Sequence, residues 1–205
     1  MSEPPPTTKA AVRIQARERY LALSDSERRE RSEELCAQAI RMKCWQAAKT
    51  LLLFAPLPTE PDVWPLLQRA LSEAKIVALP GFDAKADHYV ARRVSNPKVE
   101  IVKGKFGIRE VVDRSPEISL KQLDLTLVPG VAFDARGGRL GRGKGYYDRL
   151  LAEAGGTKCG IAFDEQLVEA VPLDPHDIRL NCILTPTRWQ LTGRGFLNES
   201  VGKYP

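Results

Sequence analysis

The chain has 205 residues and a formal net charge of +5, and 43% of its residues are hydrophobic. This length predicts one domain with a sizeable core over residues 9–205, after a proline-rich leader over 1–8 that we expect to be disordered. No apolar run reaches the ~20 residues of a membrane span and no signal core follows the first residues, so the composition argues against a membrane or secreted protein and predicts a cytoplasmic one with anionic partners.

A cationic stripe marks the first predicted helix. Thr8 is suited to cap this helix, and Lys9, Arg13 and Arg17 recur every four residues, which places them on one face. Like charges at this spacing repel one another slightly, so the stripe favours an anion docked against it, although a solvated surface has the same pattern.

Apolar strand runs alternate with helices along the rest of the chain. A capping box formed by Ser24 and Glu27 begins a second helix, which we expect to reach about Met42. Later helices are predicted over Asp62–Ala74 and Tyr146–Ala154. Strands are predicted over Thr50–Phe54, Ile76–Leu79, Tyr89–Val94, Val99–Lys103, Leu123–Val128, Cys159–Phe163, Asn181–Leu184 and Trp189–Thr192. This alternation predicts a three-layer α/β fold, in which helices cover both faces of a mainly parallel sheet.

The segment from Leu123 to Leu151 is typical of a phosphate site. It combines a buried strand, a glycine-rich cationic loop and a helix that opens on two tyrosines and an aspartate. Glycines let backbone N–H groups approach phosphate oxygens, the helix N-terminus is positive, and the cations supply full charges. The glycines are Gly137, Gly138, Gly141, Gly143 and Gly145, and the cations are Arg136, Arg139, Arg142 and Lys144.

The loop matches a P-loop only in part. Gly138 to Lys144 satisfies G-x-x-x-x-G-K, but Gly145 stands where a P-loop has its magnesium-binding Ser or Thr. Asp148, one turn into the helix, is then the nearest carboxylate for a metal ion. Gly/Arg-rich segments also occur as solvated loops or RNA-binding tails, but here a strand and an amphipathic helix flank the loop and favour an ordered phosphate site.

Two loops are expected to meet at one edge of the sheet. Ligands of parallel sheets bind beyond the carboxyl ends of the strands, where Pro129–Gly145 and Pro56–Glu60 would both lie. A third loop, punctuated by Gly104 and Gly107, is predicted to belong to the same site.

The decapeptide RLGRGKGYYD, preceded by VPGVAFD, resembles the 5-formyltetrahydrofolate cyclo-ligase family, also called methenyltetrahydrofolate synthetases. The likeness extends along most of the chain, through Lys9-x-x-x-Arg13, FAPLPTEPD around Glu60, GKFGIRE and VPLDPHD, in the family's order. The decapeptide is highly specific, whereas the other segments are weak alone. The resemblance implies ATP-dependent cyclisation of 5-formyltetrahydrofolate to 5,10-methenyltetrahydrofolate, with ATP as co-substrate and Mg²⁺ as the metal.

The resemblance also assigns roles to individual residues. Lys144 and Arg142 are the expected catalytic cations, with a compact ammonium on the γ-phosphate and guanidinium groups on phosphates or folate glutamates. Asp148 is the expected Mg²⁺ ligand. The residues predicted to bind ATP are Lys9, Arg13, Arg139, Gly141, Arg142, Gly143, Lys144, Gly145, Tyr146 and Tyr147.

Folate recognition is assigned to Glu60, Arg142 and Tyr146. Glu60 resembles the family's folate-contacting glutamate, although an exposed loop carboxylate has the same sequence. Either Tyr146 or Tyr147 could contact the pterin, the other then being part of the core. The family usually has an aspartate where this chain has Asn181, and an amide in its place would bind Mg²⁺ more weakly.

The competing hypothesis is a non-catalytic nucleotide- or RNA-binding homologue. A decayed site would not be expected to keep its full set of cations, carboxylates and tyrosines, which favours catalysis. Exposed aromatics interleaved with Lys and Arg on strands are typical of RNA binders, and only the two loop tyrosines approach that pattern. We therefore expect a monomer that binds 5-formyltetrahydrofolate, with or without a polyglutamate tail, and neither nucleic acid nor a membrane.

Overall fold

The computed structural model describes residues 8–83, 88–103 and 109–192. The predicted leader up to residue 7 and the loop containing Gly104 and Gly107 lie outside these ranges. No helix in the described ranges is long and apolar enough to cross a membrane. The helices are α1 (Lys9–Leu21), α2 (Asp25–Ala39), α3 (Lys43–Ala47), α4 (Trp64–Ser72), α5 (Pro97–Glu100) and α6 (Tyr146–Glu153).

The strands form one large sheet and two small ones within the described ranges. The large sheet has eight strands in the order β13-β12-β10-β7-β1-β2-β3-β6. The strands are β1 (Thr50–Leu52), β2 (Ile76–Asp83), β3 (His88–Val94), β4 (Ile101–Lys103), β5 (Arg109–Val111), β6 (Glu117–Ile118), β7 (Leu125–Val128), β8 (Ala132–Asp134), β9 (Arg139–Leu140), β10 (Thr157–Ile161), β11 (Leu167–Val168), β12 (Cys182–Leu184) and β13 (Trp189–Leu191).

The middle of the large sheet is parallel. Strands β12, β10, β7, β1 and β2 pair in parallel, while β13, β3 and β6 are antiparallel additions at the two edges. The carboxyl ends of the parallel strands therefore open at one edge, as the alternation of strands and helices predicts.

Helices cover both faces of this sheet because side chains alternate along each buried strand. Leu51 and Leu125 face a core layer formed with α2, α3 and α4. Leu52 and Val128 face the opposite layer, where Leu150 of α6 packs. The predicted three-layer α/β fold is confirmed.

Several predicted boundaries are wrong. The second helix ends at Ala39 instead of Met42, and the short helix α3 follows it. Strand β2 continues through Pro80 to Asp83. The proline is tolerated because the ladder to β1 ends at the Leu52–Ala78 pair, so no β1 carbonyl requires its missing N–H.

A small three-stranded sheet, β11-β8-β9, was not predicted, and it divides the glycine-rich segment in two. Arg139 and Leu140 form β9, which pairs with β8 across a turn that contains Gly137 and Gly138. Only Gly141–Gly145 is left as the loop before α6. Helix α1 packs against this small sheet through Val12, Ala16 and Tyr20, which lie in one buried cluster with Ala132 and Leu140.

The hairpin turn is organised by a buried carboxylate. Asp134 is 1% exposed. Its Oδ1 accepts hydrogen bonds from the backbone N–H groups of Arg136 and Gly138, at 2.8 and 2.9 Å, and its Oδ2 accepts one from Val171 at 2.8 Å. The side chain thus replaces three backbone acceptors in the interior.

Replacing Asp134 by alanine should lower the free energy of unfolding by at least ~3 kcal/mol, because unsatisfied buried donors cost about 1–3 kcal/mol each. Urea unfolding followed by circular dichroism measures the loss. Asp134→Asn keeps the Oδ1 acceptor and should lose about half as much or less. Equal losses in the two variants would contradict this role of the carboxylate.

Candidate functional site

The loop Gly141–Gly145 connects β9 to the N-terminus of α6. Gly143 and Gly145 have φ angles of +99° and +67°, in the left-handed region that glycine adopts without strain. Gly145 is the N-cap residue, and no described side chain caps the helix, which leaves its first N–H groups available. A Cβ built on Gly145 would meet no described atom within 4 Å, so the space before the helix is open to an anion.

Lys144 and Arg142 project from this loop. Lys144 is exposed and has no hydrogen bond or ion pair with any residue that the structure describes. The Nη2 of Arg142 lies 3.0 Å from the Oε1 of Glu60, with 46% of the arginine side chain and 10% of the glutamate side chain exposed. The Oε2 of Glu60 accepts a hydrogen bond from the Leu57 N–H at 3.0 Å. The predicted folate and phosphate residues therefore meet across the edge of the sheet.

The other loop arginine is buried. Arg139 extends from β9, and its Nη2 lies 2.9 Å from the Oδ1 of Asp148, with 3% of the arginine side chain exposed. Its guanidinium carbon lies 5.6 Å from the centre of the Tyr147 ring. Unlike Arg142, Arg139 thus contacts the first turn of α6, through Asp148 and Tyr147.

Helix α1 reaches the site with two of its cations. The Arg13 Nε donates to the Gly141 carbonyl at 2.9 Å. The Lys9 ammonium pairs with Asp174 at 2.7 Å and with Asp177. The anion facing the cationic stripe is therefore, in part, the protein's own pair of carboxylates. The sequence points to these acids only through the VPLDPHD segment, which gives no indication of their partner.

Ion pairing shifts two pKa values at this contact. Burial lowers the pKa of Lys9, but the hydrogen bonds to Asp174 and Asp177 outweigh it and raise the pKa above its ordinary value. Burial raises the pKa of Asp177, but the Lys9 ammonium outweighs it and holds the pKa below its ordinary value. Both groups are consequently charged at neutral pH.

The two tyrosines have different surroundings. The Tyr146 ring packs edge-on against Phe82 and Tyr89, with centroid distances of 5.5 and 5.4 Å, and Phe82 is 41% exposed. Tyr147 packs against the core layer that contains Leu150. Burial, and then the charge of Glu60, raise the pKa of Tyr147, so its hydroxyl stays neutral. Tyr147 is therefore the core-facing member of the pair, and Tyr146 lies in the aromatic cluster open to solvent.

Among the described residues, Asp148 offers a carboxylate oxygen to a metal ion in the first turn of α6. Asp148 uses Oδ1 for Arg139, and Oδ2 has no partner among the described residues. Carboxylate oxygen suits Mg²⁺, so the donor fits the ion. Ligand atoms of Asp174, His176 and Asp177 also lie within 4.8 Å of one another, but the Lys9 ammonium contacts both aspartates.

The structure places Asn181 away from Asp148, the predicted metal ligand. Its Oδ1 accepts a hydrogen bond from the Lys158 N–H at 2.8 Å, and its own N–H donates to the Lys158 carbonyl. These contacts lie in the amino-terminal half of β10. Asp148 is tied through Arg139 to Pro129, beyond the carboxyl end of β7. One metal ion could therefore contact both Asn181 and Asp148 only if it spanned the sheet from the start of β10 to the end of β7.

Comparisons with known proteins identify the family and the fold of the chain. A sequence model of the 5-formyltetrahydrofolate cyclo-ligase family matches residues 6–186. The 5-formyltetrahydrofolate cyclo-ligase of Escherichia coli K12 is 31% identical, over 85% of this chain and 98% of its own length. The enzyme of that name from Mus musculus is 29% identical, over 87% and 93%. A solved structure of the 5,10-methenyltetrahydrofolate synthetase of Aquifex aeolicus is 32% identical, with a TM-score of 0.80 over 94% of this chain and 97% of its own.

Proposed function

Because the chain belongs to the 5-formyltetrahydrofolate cyclo-ligase family, we propose that it converts 5-formyltetrahydrofolate and ATP into 5,10-methenyltetrahydrofolate, ADP and phosphate. One observation carries the proposal most directly. Lys144, which has no partner among the described residues, lies on the same short loop as Arg142, which touches Glu60, and this loop leads into the N-terminus of α6, which no described side chain caps. This loop joins a phosphate-binding element to the residue predicted to hold the folate.

The chemistry requires activation of an amide. The formyl oxygen on N5 does not leave unaided, so transfer of the γ-phosphoryl group from ATP to this oxygen converts it into a leaving group. N10 then attacks the formyl carbon, and loss of phosphate and of the N10 proton leaves the methenyl bridge. Such transfer needs positioning and neutralisation of charge more than covalent help from the protein.

Residues of this chain supply both requirements in the proposal. The N–H groups at the start of α6 would bind phosphate oxygens, and Lys144 would follow the charge on the transferred group. Glu60 would accept hydrogen bonds from pterin N–H groups, and the ring of Tyr146 would contact the pterin. Asp148 would hold Mg²⁺, which neutralises phosphate charge when bound.

The substrate range, the oligomeric state and the location of the protein are further parts of the proposed function. Folates with polyglutamate tails are expected substrates, since Arg142 is exposed enough to meet an added carboxylate. We also propose a monomer that works in the cytoplasm. The family membership favours catalysis over the non-catalytic nucleotide- or RNA-binding alternative.

The first test is turnover by the purified protein. With 5-formyltetrahydrofolate and Mg-ATP, the absorbance of the methenyl product should rise, with ADP and phosphate released in equal amounts. Omission of ATP and heat-denatured protein are the controls. ATP binding without product at high protein concentration would instead support the non-catalytic homologue.

Arg142→Ala should raise the KM for 5-formyltetrahydrofolate by about tenfold, and by more for the pentaglutamate, because a charge-assisted hydrogen bond is worth about 1.5–3 kcal/mol. Steady-state kinetics with both folates measure the difference. Arg136→Ala, which removes a more exposed arginine from the neighbouring hairpin turn, is the control. Equal increases for the two folates would refute the contact between Arg142 and the tail.

A further inference from the structure

Arg139 is the most deeply buried cation of the glycine-rich segment, and its position is difficult to reconcile with direct phosphate binding. Its side chain is 3% exposed. A buried guanidinium is costly unless it is paired, and among the described residues its ion-pair partner is Asp148, at 2.9 Å. Its Nη1 donates to the Pro129 carbonyl at 3.4 Å, while its buried Nε has no hydrogen-bond partner in the described ranges.

The loop is shaped around this side chain. A Cβ at Gly141 would lie 2.8 Å from the Arg139 Nη1, and a Cβ at Gly130 would lie 3.2 Å from its Cγ. Two glycines thus leave space for the arginine at the points where it passes the backbone. The guanidinium thus lies against the loop backbone at Gly141 and contacts the first turn of α6 at Asp148, with little exposure to solvent.

The contacts of Arg139 fall on two consecutive residues of that turn. It binds one oxygen of Asp148 and lies against the ring of Tyr147, 5.6 Å from the ring centre. A carboxylate held by one oxygen keeps a fixed direction for the other. The Oδ2 of Asp148 has no described partner and so remains available to a cation beside the phosphates.

We propose that Arg139 is a positioning residue that orients Asp148 towards Mg²⁺, in place of the direct ATP contact expected from its sequence. The inference rests on the proposed function through the metal role of Asp148. Groups that hold a metal ligand by hydrogen bonding typically change metal affinity by about 10–100-fold when removed. The effect of Arg139 should therefore appear in the response to Mg²⁺ and not in the affinity for phosphate itself.

The test is a calorimetric titration of the full chain with the non-hydrolysable β,γ-imido analogue of ATP, at increasing Mg²⁺ and in EDTA. Arg139→Met should raise the Mg²⁺ concentration for half-maximal binding by about tenfold or more. It should change the affinity in EDTA by less than about twofold. Arg142→Met, on the exposed loop, should instead weaken binding in both conditions. Arg69→Met, which breaks the surface pair with Glu73 on α4, is the matched control.

A second experiment tests whether Arg139 acts through Asp148. In an Asp148→Asn background, adding Arg139→Met should change the Mg²⁺ requirement by less than about twofold, because the side chain to be oriented is already neutral. Additive effects would overturn the proposal. So would a loss of EDTA affinity in Arg139→Met, which indicates a phosphate contact, or a lower melting temperature with an unchanged Mg²⁺ response, which indicates a structural role alone.

If Arg139→Met does not fold, Arg139→Lys takes its place, since it keeps the buried charge but loses the forked geometry. The same rise in the Mg²⁺ requirement is then expected, by about threefold or more. These titrations measure binding and not turnover. If the wild-type protein binds the analogue with Mg²⁺ but forms no product, the proposed function fails, while the titrations still test the role of Arg139. A wild-type protein without Mg²⁺-dependent binding would overturn both.

Discussion

Lys144→Ala should lower turnover by about 10²-fold or more, because one charge-stabilising donor at a transition state typically contributes a factor of 10²–10³. Lys144 is exposed and unpaired among the described residues, so the folded protein loses no contact when its ammonium is removed. The melting temperature should therefore stay unchanged while the rate falls. Single-turnover measurements with saturating ATP and folate separate this effect from binding.

The matched control is Lys121→Ala, which removes an exposed lysine from the short helical turn that precedes β7. This variant should retain wild-type turnover. If Lys144→Ala also turns over at the wild-type rate, another cation neutralises the transferred group, and Arg142 is then the first candidate.

Asp148→Ala should abolish activity for two separable reasons. It removes the expected Mg²⁺ ligand, and it leaves the Arg139 guanidinium buried without its ion-pair partner. Breaking a buried pair in this way typically costs about 3–5 kcal/mol of stability. Asp148→Asn should keep more of the stability, because an amide oxygen can still accept the Arg139 hydrogen bond, while it loses the charge that holds the ion.

Activity across a magnesium titration and urea unfolding should be measured on both variants. Full activity of Asp148→Asn at ordinary magnesium would place the metal elsewhere. Asn181→Asp provides the contrast, because the side chain of Asn181 binds the Lys158 backbone away from the loop. It should leave the magnesium requirement unchanged, contrary to what the family pattern alone would suggest.

The overall class of this fold follows from local patterns in the sequence. Buried strands appear in the sequence as apolar runs, and helices appear as amphipathic or capped segments. Because strands and helices alternate along the chain, the sheet is expected to be mostly parallel. The predicted α/β class is confirmed for this reason. The capping box at Ser24 is also present as predicted, since both of its hydrogen bonds lie within four residues of the chain.

The family-typical decapeptide likewise predicts a phosphate-binding loop from the sequence alone, because its glycines and cations are consecutive. The roles assigned to single residues remain predictions. What the sequence could not distinguish is which cations of the loop face solvent. Arg139 and Arg142 are three positions apart, and both are arginines next to a glycine or leucine in the same segment. In the structure, Arg139 is buried against Asp148, whereas Arg142 is exposed beside Glu60.

That difference depends on the small sheet β11-β8-β9, whose strands of two or three residues are too short to leave a periodic signal. Pairing with β8 turns Arg139 inward, and the buried Asp134 holds the turn that makes the pairing possible. The ion pairs of Lys9 with Asp174 and Asp177, and of Glu60 with Arg142, join residues 82 or more positions apart. The sequence by itself thus determined the class of the fold and the position of the glycine-rich cationic loop before α6, which depend on neighbouring residues. Only the tertiary structure decided which partner each charge receives, because those partners are brought together by strand pairing and helix packing between distant segments.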